Sequence, residues 1–479
     1  MALIKSISGI RGTIGGAAGN GLTPPDIVTY SAAFALWIKE KKQKKGKVVV
    51  GHDARLSGDM VNRLVCGTLI GCGIDVVDIG LASTPTVEMA VVWEGAAGGI
   101  VITASHNPRD WNALKLLNSA GEFLNREESA HLLSIAESFS LASPMDKSTD
   151  LSVDRLSLFE TVDHIGVYSQ KDYTQAHINA VISHPLVDVA AIYRCNFRVA
   201  LDAINSVGGI IVPRLLENLG VAYLPLHCQP TGNFAHNPEP LPEHLQDLSQ
   251  FVISEQADLG FAVDPDVDRL AIVCEDGSMF GEEYTLAAVA DYVLSQRKGN
   301  VVSNISSSRA LTDVAQWHGC TRYTSAVGEV NVVKEMKFRD AVVGGEGNGG
   351  VILPDLHYGR DAVIGIALFL TFLAHKKRSC SQLRARYPHY YMAKERIEIS
   401  NDYDLNGLFT QIKKMYTNQI INELDGIKID FEEEKKWVIL RASNTEPILR
   451  VYAEAITKDD AQSLAQEVVV VSSNRRFYG

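Results

Sequence analysis

The 479-residue chain is expected to be an α/β protein, with three mixed α/β sheet domains and a small α+β domain at the end of the sequence. Three observations predict this. Short β-branched runs recur, each followed by a Gly- or Asp-containing loop and a helix-like amphipathic stretch, which is the pattern of βαβ units and mixed or parallel sheets. The chain is too long for a single core. Its last hundred or so residues change character, with extended runs and helical patterns no longer alternating one for one.

Taken in order, the run 48–50 leads into Gly51-His52-Asp53, and 100–102 leads into Thr103-Ala104-Ser105. The run 199–201 leads into Asp202, while 259–263 and 270–273 bracket an acidic loop as strand–loop–strand. The run 341–343 leads into a chain of glycines. Beyond it come an extended run at 390–399, a helical pattern from 405 to about 424, strands at 437–440 and 448–455, and a closing helix. Polar seams at 143–154, 246–255 and 376–381 divide the chain into 1–150, 151–254, 255–375 and 376–479. Sheets of this kind place ligand sites at the carboxyl ends of strands.

Composition narrows the function class. Hydrophobic residues make up 46% and charged residues 21%, ordinary for a soluble globular protein. No run of about 18 apolar residues could span a bilayer, and the first residues lack the apolar core of a secretion signal, so the cytoplasm is expected. Seven cysteines, none in a C-x-x-C pair, suggest neither a zinc site nor a disulfide framework, and most are expected in the core. A net charge of −12 argues against nucleic acid or an anionic membrane as partner. A phosphate ester would need cations gathered locally.

Four loops carry candidate chemistry. In Thr103-Ala104-Ser105-His106-Asn107-Pro108, the proline constrains the turn and the residue before it. Such a serine is open to a structural reading as a turn or cap residue and to a catalytic one. In Asp264-Pro265-Asp266-Val267-Asp268-Arg269, three carboxylates at alternate positions repel one another unless a hard cation takes them, with Mg²⁺ or Ca²⁺ the natural occupant. An EF-hand is excluded by Arg269 in place of the required glycine and by strand flanks, and a solvated acidic turn is the remaining alternative. Gly344-Gly345-Glu346-Gly347-Asn348-Gly349-Gly350 permits close backbone approach, and Glu346 and Asn348 suit sugar hydroxyls. Arg441-Ala442-Ser443-Asn444-Thr445-Glu446-Pro447 reads either as a hairpin turn or as an anion nest with an arginine fork.

As an ordered set these loops resemble the α-D-phosphohexomutase family over essentially the whole chain. The segments from Ser6 to Gly12 and from Gly51 to Ser57 are similar to two further family motifs. The resemblance implies a four-domain, heart-shaped enzyme with one active-site loop from each domain: the phosphoserine loop in 1–150, the metal loop at the boundary of 151–254 with the next domain, the sugar loop in 255–375 and the phosphate loop in 376–479. Ser105 would be the phosphoserine and would complete a Mg²⁺ shell with Asp264, Asp266 and Asp268. Glu346 and Asn348 would hold the sugar. Arg441, Ser443, Asn444, Thr445 and Arg450 would grip the unreacting phosphate. Arg11, Lys115 and Arg269 would surround the reacting one, with Lys115 or His106 as the candidate proton carrier. The implied partner is a small phosphosugar, with a sugar 1,6-bisphosphate as intermediate and activator, acted on by a monomer or homodimer.

Three positions depart from the common pattern. Gly350 stands where many members carry histidine, Ala113 stands where glycine is usual, and Glu329 occupies a variable position. The Gly-Glu-Gly-Asn-Gly-Gly string resembles a branch associated with phosphoglucosamine mutase activity, with phosphomannomutase/phosphoglucomutase as the alternative. A non-catalytic sugar-phosphate binding protein is the alternative of another class.

Overall fold

A computed structural model describes residues 3–6, 9–42, 46–138, 158–400, 403–443 and 448–473. It divides into two compact units, Met1–Thr285 with Asn348–Leu383, and Leu286–Gly347 with Arg384–Gly479.

The first unit contains two sheets. One has seven strands, in the order Ile4–Ser6, Gly9–Thr13, Trp111–Leu117, Gly98–Ile102, Lys47–His52, Asp75–Leu81 and Tyr168–Gln170. Its centre is parallel, and Gly98–Ile102 then pairs antiparallel with Trp111–Leu117. Every residue of Gly98–Ile102 is buried, as expected of a strand covered on both faces. The helix Pro24–Lys42 supplies Phe34, Trp37 and Ile38 to the core against Ile100 and Leu114. The second sheet has the order Leu270–Cys274, Leu259–Val263, Arg198–Asp202, Ala222–Leu226. It takes strands from both sides of position 254. The helix Gln246–Ser254, within the stretch whose polarity suggested a seam, packs Leu248 and Val252 onto this sheet against Ala200, Ala262 and Val273. The expected strand–loop–strand around the acidic loop is present, with Val263 opposite Leu270.

The helix Ala362–Lys376 is apolar along nearly its whole length and buried. It starts on Asp361, whose Oδ1 accepts the Val363 and Ile364 N–H groups at 2.7 and 3.4 Å, satisfying two of the free donors at a helix start.

In the second unit, strands Arg322–Ser325, Asn300–Asn304 and Ala341–Glu346 lie parallel. An antiparallel sheet follows the order Tyr391–Glu398, Ile448–Ala455, Lys436–Ala442, Ile427–Phe431, Ile420–Asn422. Here the structure corrects one expectation: the helix beginning at Leu405 ends at Met415, not near 424. Thr417 and Asn418 are poor helix formers, and Ile420–Asn422 gains ladder hydrogen bonds by pairing with Ile427–Phe431. Cys66, Cys72, Cys274 and Cys380 are buried as expected, whereas Cys195 is exposed and Cys228 and Cys320 are half-buried.

Candidate active site

Ser105 sits at the carboxyl end of the buried strand Gly98–Ile102 with φ 48°, a left-handed backbone uncommon for a residue with a Cβ. Its surroundings hold it there. Thr103 Oγ1 donates to Asp53 Oδ2 at 2.6 Å and accepts the Ser105 N–H at 2.9 Å. Arg55, paired with Asp53 at 3.1 Å, donates to the carbonyls of Ser105, Asn107 (2.7 Å), Pro108 (2.6 Å) and Trp111 (3.0 Å). One guanidinium thus holds four carbonyls of this segment. The Ser105 hydroxyl donates to Asp264 Oδ2 at 2.9 Å across 159 residues of sequence.

Asp264, Asp266 and Asp268 are fully buried, and one oxygen of each lies within 4.8 Å of the others. Asp264 Oδ1 accepts the N–H groups of Asp268 and Arg269 at 3.1 and 3.2 Å. Asp266 Oδ2 accepts from Thr84 Oγ1 at 2.6 Å and from Lys115 Nζ at 2.7 Å, and Asp268 Oδ2 accepts from Arg360 at 2.6 Å. Asp266 Oδ1 and Asp268 Oδ1 are buried with no hydrogen-bond partner among the described residues. Burial, then Asp268 and Asp266, pushes the Asp264 carboxyl well above its usual range. Burial would also raise Asp266, but Lys115 and Thr84 hold it below the usual carboxylate range. Buried carboxylates with bare oxygens call for a cation, and an all-oxygen set of this kind suits Mg²⁺. The residues fit the group.

Cations surround the triad. Arg11 donates to Asn107 Oδ1 at 2.8 Å. Arg269 Nε lies 3.9 Å from both Asp264 Oδ2 and Asp268 Oδ1. Burial acts to lower the Lys115 pKa, yet Asp266 and Asp268 more than compensate and raise it. The charges closest to Lys115 are thus carboxylates, with Asp266 Oδ2 at 2.7 Å and Asp268 Oδ2 at 3.9 Å. His106 is the group that the cations reach. Arg269 foremost, then burial, Arg11 and Arg360, hold its imidazole well below the usual histidine range, and its Nδ1 is buried without a hydrogen-bond partner among the described residues.

Asn348 is in the same unit and folds back, its Oδ1 accepting the Gly350 N–H at 3.3 Å. Gly349 carries φ 85°, and its carbonyl accepts the Leu270 N–H at 3.1 Å, which anchors the glycine-rich loop beside the strand after the metal loop. Gly350 has no space for a side chain, because a Cβ there would lie 2.4 Å from Arg360 Cδ.

In the second unit, Glu346 ends its strand buried, with Oε1 accepting from Asn304 Nδ2 at 2.9 Å and from the Gly328 N–H at 3.0 Å. The Ser443 N–H donates to the Ile448 carbonyl at 2.9 Å, closing the ends of the phosphate loop. Asn444 and Thr445 lie outside the described residues. Arg441 is directly opposite Arg450, and Arg450 is opposite Arg396. Partners in antiparallel register share a face, so three arginines form a row across three strands. Like charges so placed repel, and an anion would offset the cost. Arg441 is also anchored by Asp425 at 3.2 Å.

Models of the phosphoglucomutase/phosphomannomutase family match the chain in four successive parts: α/β/α domains I, II and III at residues 3–142, 175–277 and 282–391, and the C-terminal domain at 406–470. The chain belongs to this family, the α-D-phosphohexomutases. It is 33% identical over 457 residues to a phosphoglucomutase/phosphomannomutase of Thermococcus kodakarensis, covering 94% of this chain and 95% of the relative. It is 29% identical to a phosphoglucosamine/phosphogalactosamine mutase of Sulfurisphaera tokodaii, covering 98% of each. In fold it is similar to a phosphoglucomutase/phosphomannomutase family protein of Burkholderia thailandensis, with TM-score 0.81, 24% identity and 99% of each chain covered. Phosphohexomutases are isomerases, so the alternative of a non-catalytic binding protein gives way to an enzyme.

In this phosphohexomutase, Ser105, His106, Lys115, Arg11, Arg269 and the three aspartates gather within the first unit. Glu346, Arg441, Ser443 and Arg450 are placed within the second. Sequence reasoning missed Thr84, Arg360 and Arg396, and held Arg55 only as part of the motif from Gly51 to Ser57, with no role of its own. Arg360 precedes the helix-capping Asp361 in a His-Tyr-Gly-Arg-Asp run, a local signal that could have flagged it. Arg396 looks like an ordinary surface residue until its strand partner is known. Among the described residues, no helix is long and apolar enough to cross a membrane.

Proposed function

We propose that this phosphohexomutase interconverts glucosamine 6-phosphate and glucosamine 1-phosphate through phospho-Ser105. The observation that carries the reading is the Ser105 hydroxyl held 2.9 Å from Asp264 at the edge of a buried aspartate triad. Phosphoryl transfer asks a protein for alignment and charge neutralisation rather than new covalent chemistry.

Asp264, Asp266 and Asp268 would hold Mg²⁺, which when bound neutralises charge on the transferring phosphoryl group. In the first half-reaction the bond from phosphorus to Ser105 Oγ breaks and a bond from phosphorus to a sugar oxygen forms, giving a sugar bisphosphate. The neutral imidazole of His106 takes the proton from the sugar hydroxyl and passes it to the departing Ser105 Oγ, which ends as a hydroxyl. Arg11, Arg269 and Lys115 stay cationic and hold phosphoryl oxygens. The bisphosphate then presents its other phosphate to Ser105; a bond from phosphorus to Oγ forms, the bond from phosphorus to the sugar oxygen breaks, and His106 carries the Ser105 proton to that oxygen. Glu346 and Asn348 grip sugar hydroxyls in either orientation. The arginine row with Ser443, Asn444 and Thr445 grips the phosphate that is not reacting.

Glucosamine specificity is supported by the Gly-Glu-Gly-Asn-Gly-Gly loop and by the name of the Sulfurisphaera tokodaii relative. The name of the Thermococcus kodakarensis relative favours a second reading, mannose or glucose phosphates. Comparing kcat/KM across the 1-phosphates of glucosamine, glucose, mannose and N-acetylglucosamine decides between them, and a glucosamine value that is not the highest overturns the first. Intact-mass analysis tests the chemistry separately: one phosphate should localise to Ser105, and Ser105→Ala should stay folded without turnover.

A further inference from the structure

The first unit holds a second set of ligand-type side chains that the mutase reaction does not use. Asp202, at the carboxyl end of strand Arg198–Asp202, is buried. Its Oδ1 accepts the Ile204 N–H at 2.9 Å. Its Oδ2 faces two imidazoles at once, His227 Nδ1 at 3.1 Å and His236 Nε2 at 3.0 Å. One ligand atom from each residue lies within 4.8 Å of the other two.

The hydrogen bonding around His236 limits what this arrangement can be. Its Nδ1 lies 2.8 Å from the Asn237 carbonyl, and only an N–H can face a carbonyl oxygen at that distance. A neutral His236 therefore points the Nε2 lone pair at a carboxylate oxygen, which is repulsive. A positive centre has to lie between them, either a second ring proton or a metal ion. His227 brings another nitrogen to the same oxygen from a left-handed backbone of φ 49°, a conformation that costs a bulky residue free energy and persists only where the surroundings impose it. The nearby Cys228 thiol is turned to the Leu201 and Leu226 carbonyls at 3.4 and 3.3 Å. The donor set is two imidazoles and one carboxylate.

Imidazole with carboxylate suits borderline divalent cations rather than Mg²⁺, and a backbone carbonyl on the far ring nitrogen is the usual outer-shell partner of a metal-bound histidine. The histidine side chains keep 23% and 16% of their surface exposed, which leaves water access to a fourth position. We propose that Asp202, His227 and His236 bind a zinc-type divalent cation, and that the ion fastens the loop from 227 to 237. That loop matters to the reactive serine. It carries Phe234, whose ring lies 5.0 Å from the Arg55 guanidinium that holds the carbonyls of the Ser105 loop. Gly232 packs against the Ala54 carbonyl so closely that a Cβ would lie 2.0 Å from it.

The test uses full-length protein stripped with EDTA and held in excess Mg²⁺ to occupy the aspartate triad. Zn²⁺ is titrated by calorimetry, Co²⁺ by visible absorption, and hydrogen exchange is followed across residues 227–237. One equivalent of Zn²⁺ should bind and slow exchange in that loop. His227→Ala and His236→Gln should each weaken binding by more than the roughly 10- to 100-fold that loss of an outer-shell partner costs. Two results overturn the site: Zn²⁺ binding that both variants retain unchanged, or no Zn²⁺ binding by a protein whose His236 is doubly protonated at neutral pH. The second would make the cluster an imidazolium–carboxylate clip.

Discussion

Arg360 fills the space beside Gly350: a Cβ on the glycine would lie 2.4 Å from Arg360 Cδ, while the guanidinium reaches Asp268 Oδ2 at 2.6 Å. Arg360 comes from ten residues further along the chain and reaches the metal loop directly. Gly350→His should push Arg360 off Asp268 and lower kcat by about 10- to 100-fold, the worth of one charge-assisted hydrogen bond. The double variant Gly350→His/Arg360→Ala should be no slower than Arg360→Ala alone. Additive losses in that cycle would separate the two residues.

Lys115 and His106 divide the electrostatics of the site between them. Lys115 is drawn up by Asp266 and Asp268 against its burial, and His106 is held down chiefly by Arg269. Lys115→Arg should leave the pH–rate limb of the proton acceptor in place and reduce kcat only modestly. His106→Gln should remove that limb and cost about 10²- to 10⁴-fold in kcat. Loss of the limb in Lys115→Arg instead would make the lysine the base.

The triad predicts a strict metal requirement. Chelation should stop turnover and Mg²⁺ should restore it. Asp266→Asn should lower kcat by about 10²-fold or more, since removing a single preorganised charge partner typically costs that much. Full activity in excess EDTA would refute the metal assignment.

Arg396, Arg450 and Arg441 face one another across adjacent strands. Arg396→Ala should raise KM about tenfold or more through the lost phosphate contact. It should also raise the Tm of the unliganded protein slightly, because like charges directly opposite cost about 0.2–1 kcal/mol. A fall in both KM and Tm would mean the row is held by other carboxylates and does not meet the substrate.

His357 supplies a pH dependence of stability. Its ring lies between Glu88 at 3.2 Å and Asp361 at 3.3 Å. Burial lowers its pKa, but the two carboxylates raise it to about 10. A pKa raised on folding contributes stability that is fully present below the unfolded value, near 6.5, and is lost as pH rises through 10. Denaturant melts should show wild type losing on the order of 2–4 kcal/mol over that window, while His357→Gln stays flat. Equal slopes for both proteins would remove His357 as the source.

Much of this site was readable because each loop follows a strand and carries several unusual residues within a few positions. The alternation around Asp264, Asp266 and Asp268, the turn chemistry near Ser105 and the glycines before Gly350 are local patterns, and the chain keeps them local in space. The helix after Leu405 was overextended because periodicity could not weigh the helix against ladder bonds that Ile420–Asn422 makes with a strand not yet assigned. What only the tertiary structure decided is pairing at a distance. Arg55 lies 50 residues from the carbonyl of Ser105, Thr84 lies 182 from Asp266 and Arg360 lies 92 from Asp268. The sequence alone determined which chemical groups the active-site loops contain. Their protonation followed from which charges burial placed beside them, and that is a property of the folded interior, where nearby charges act with little screening by water.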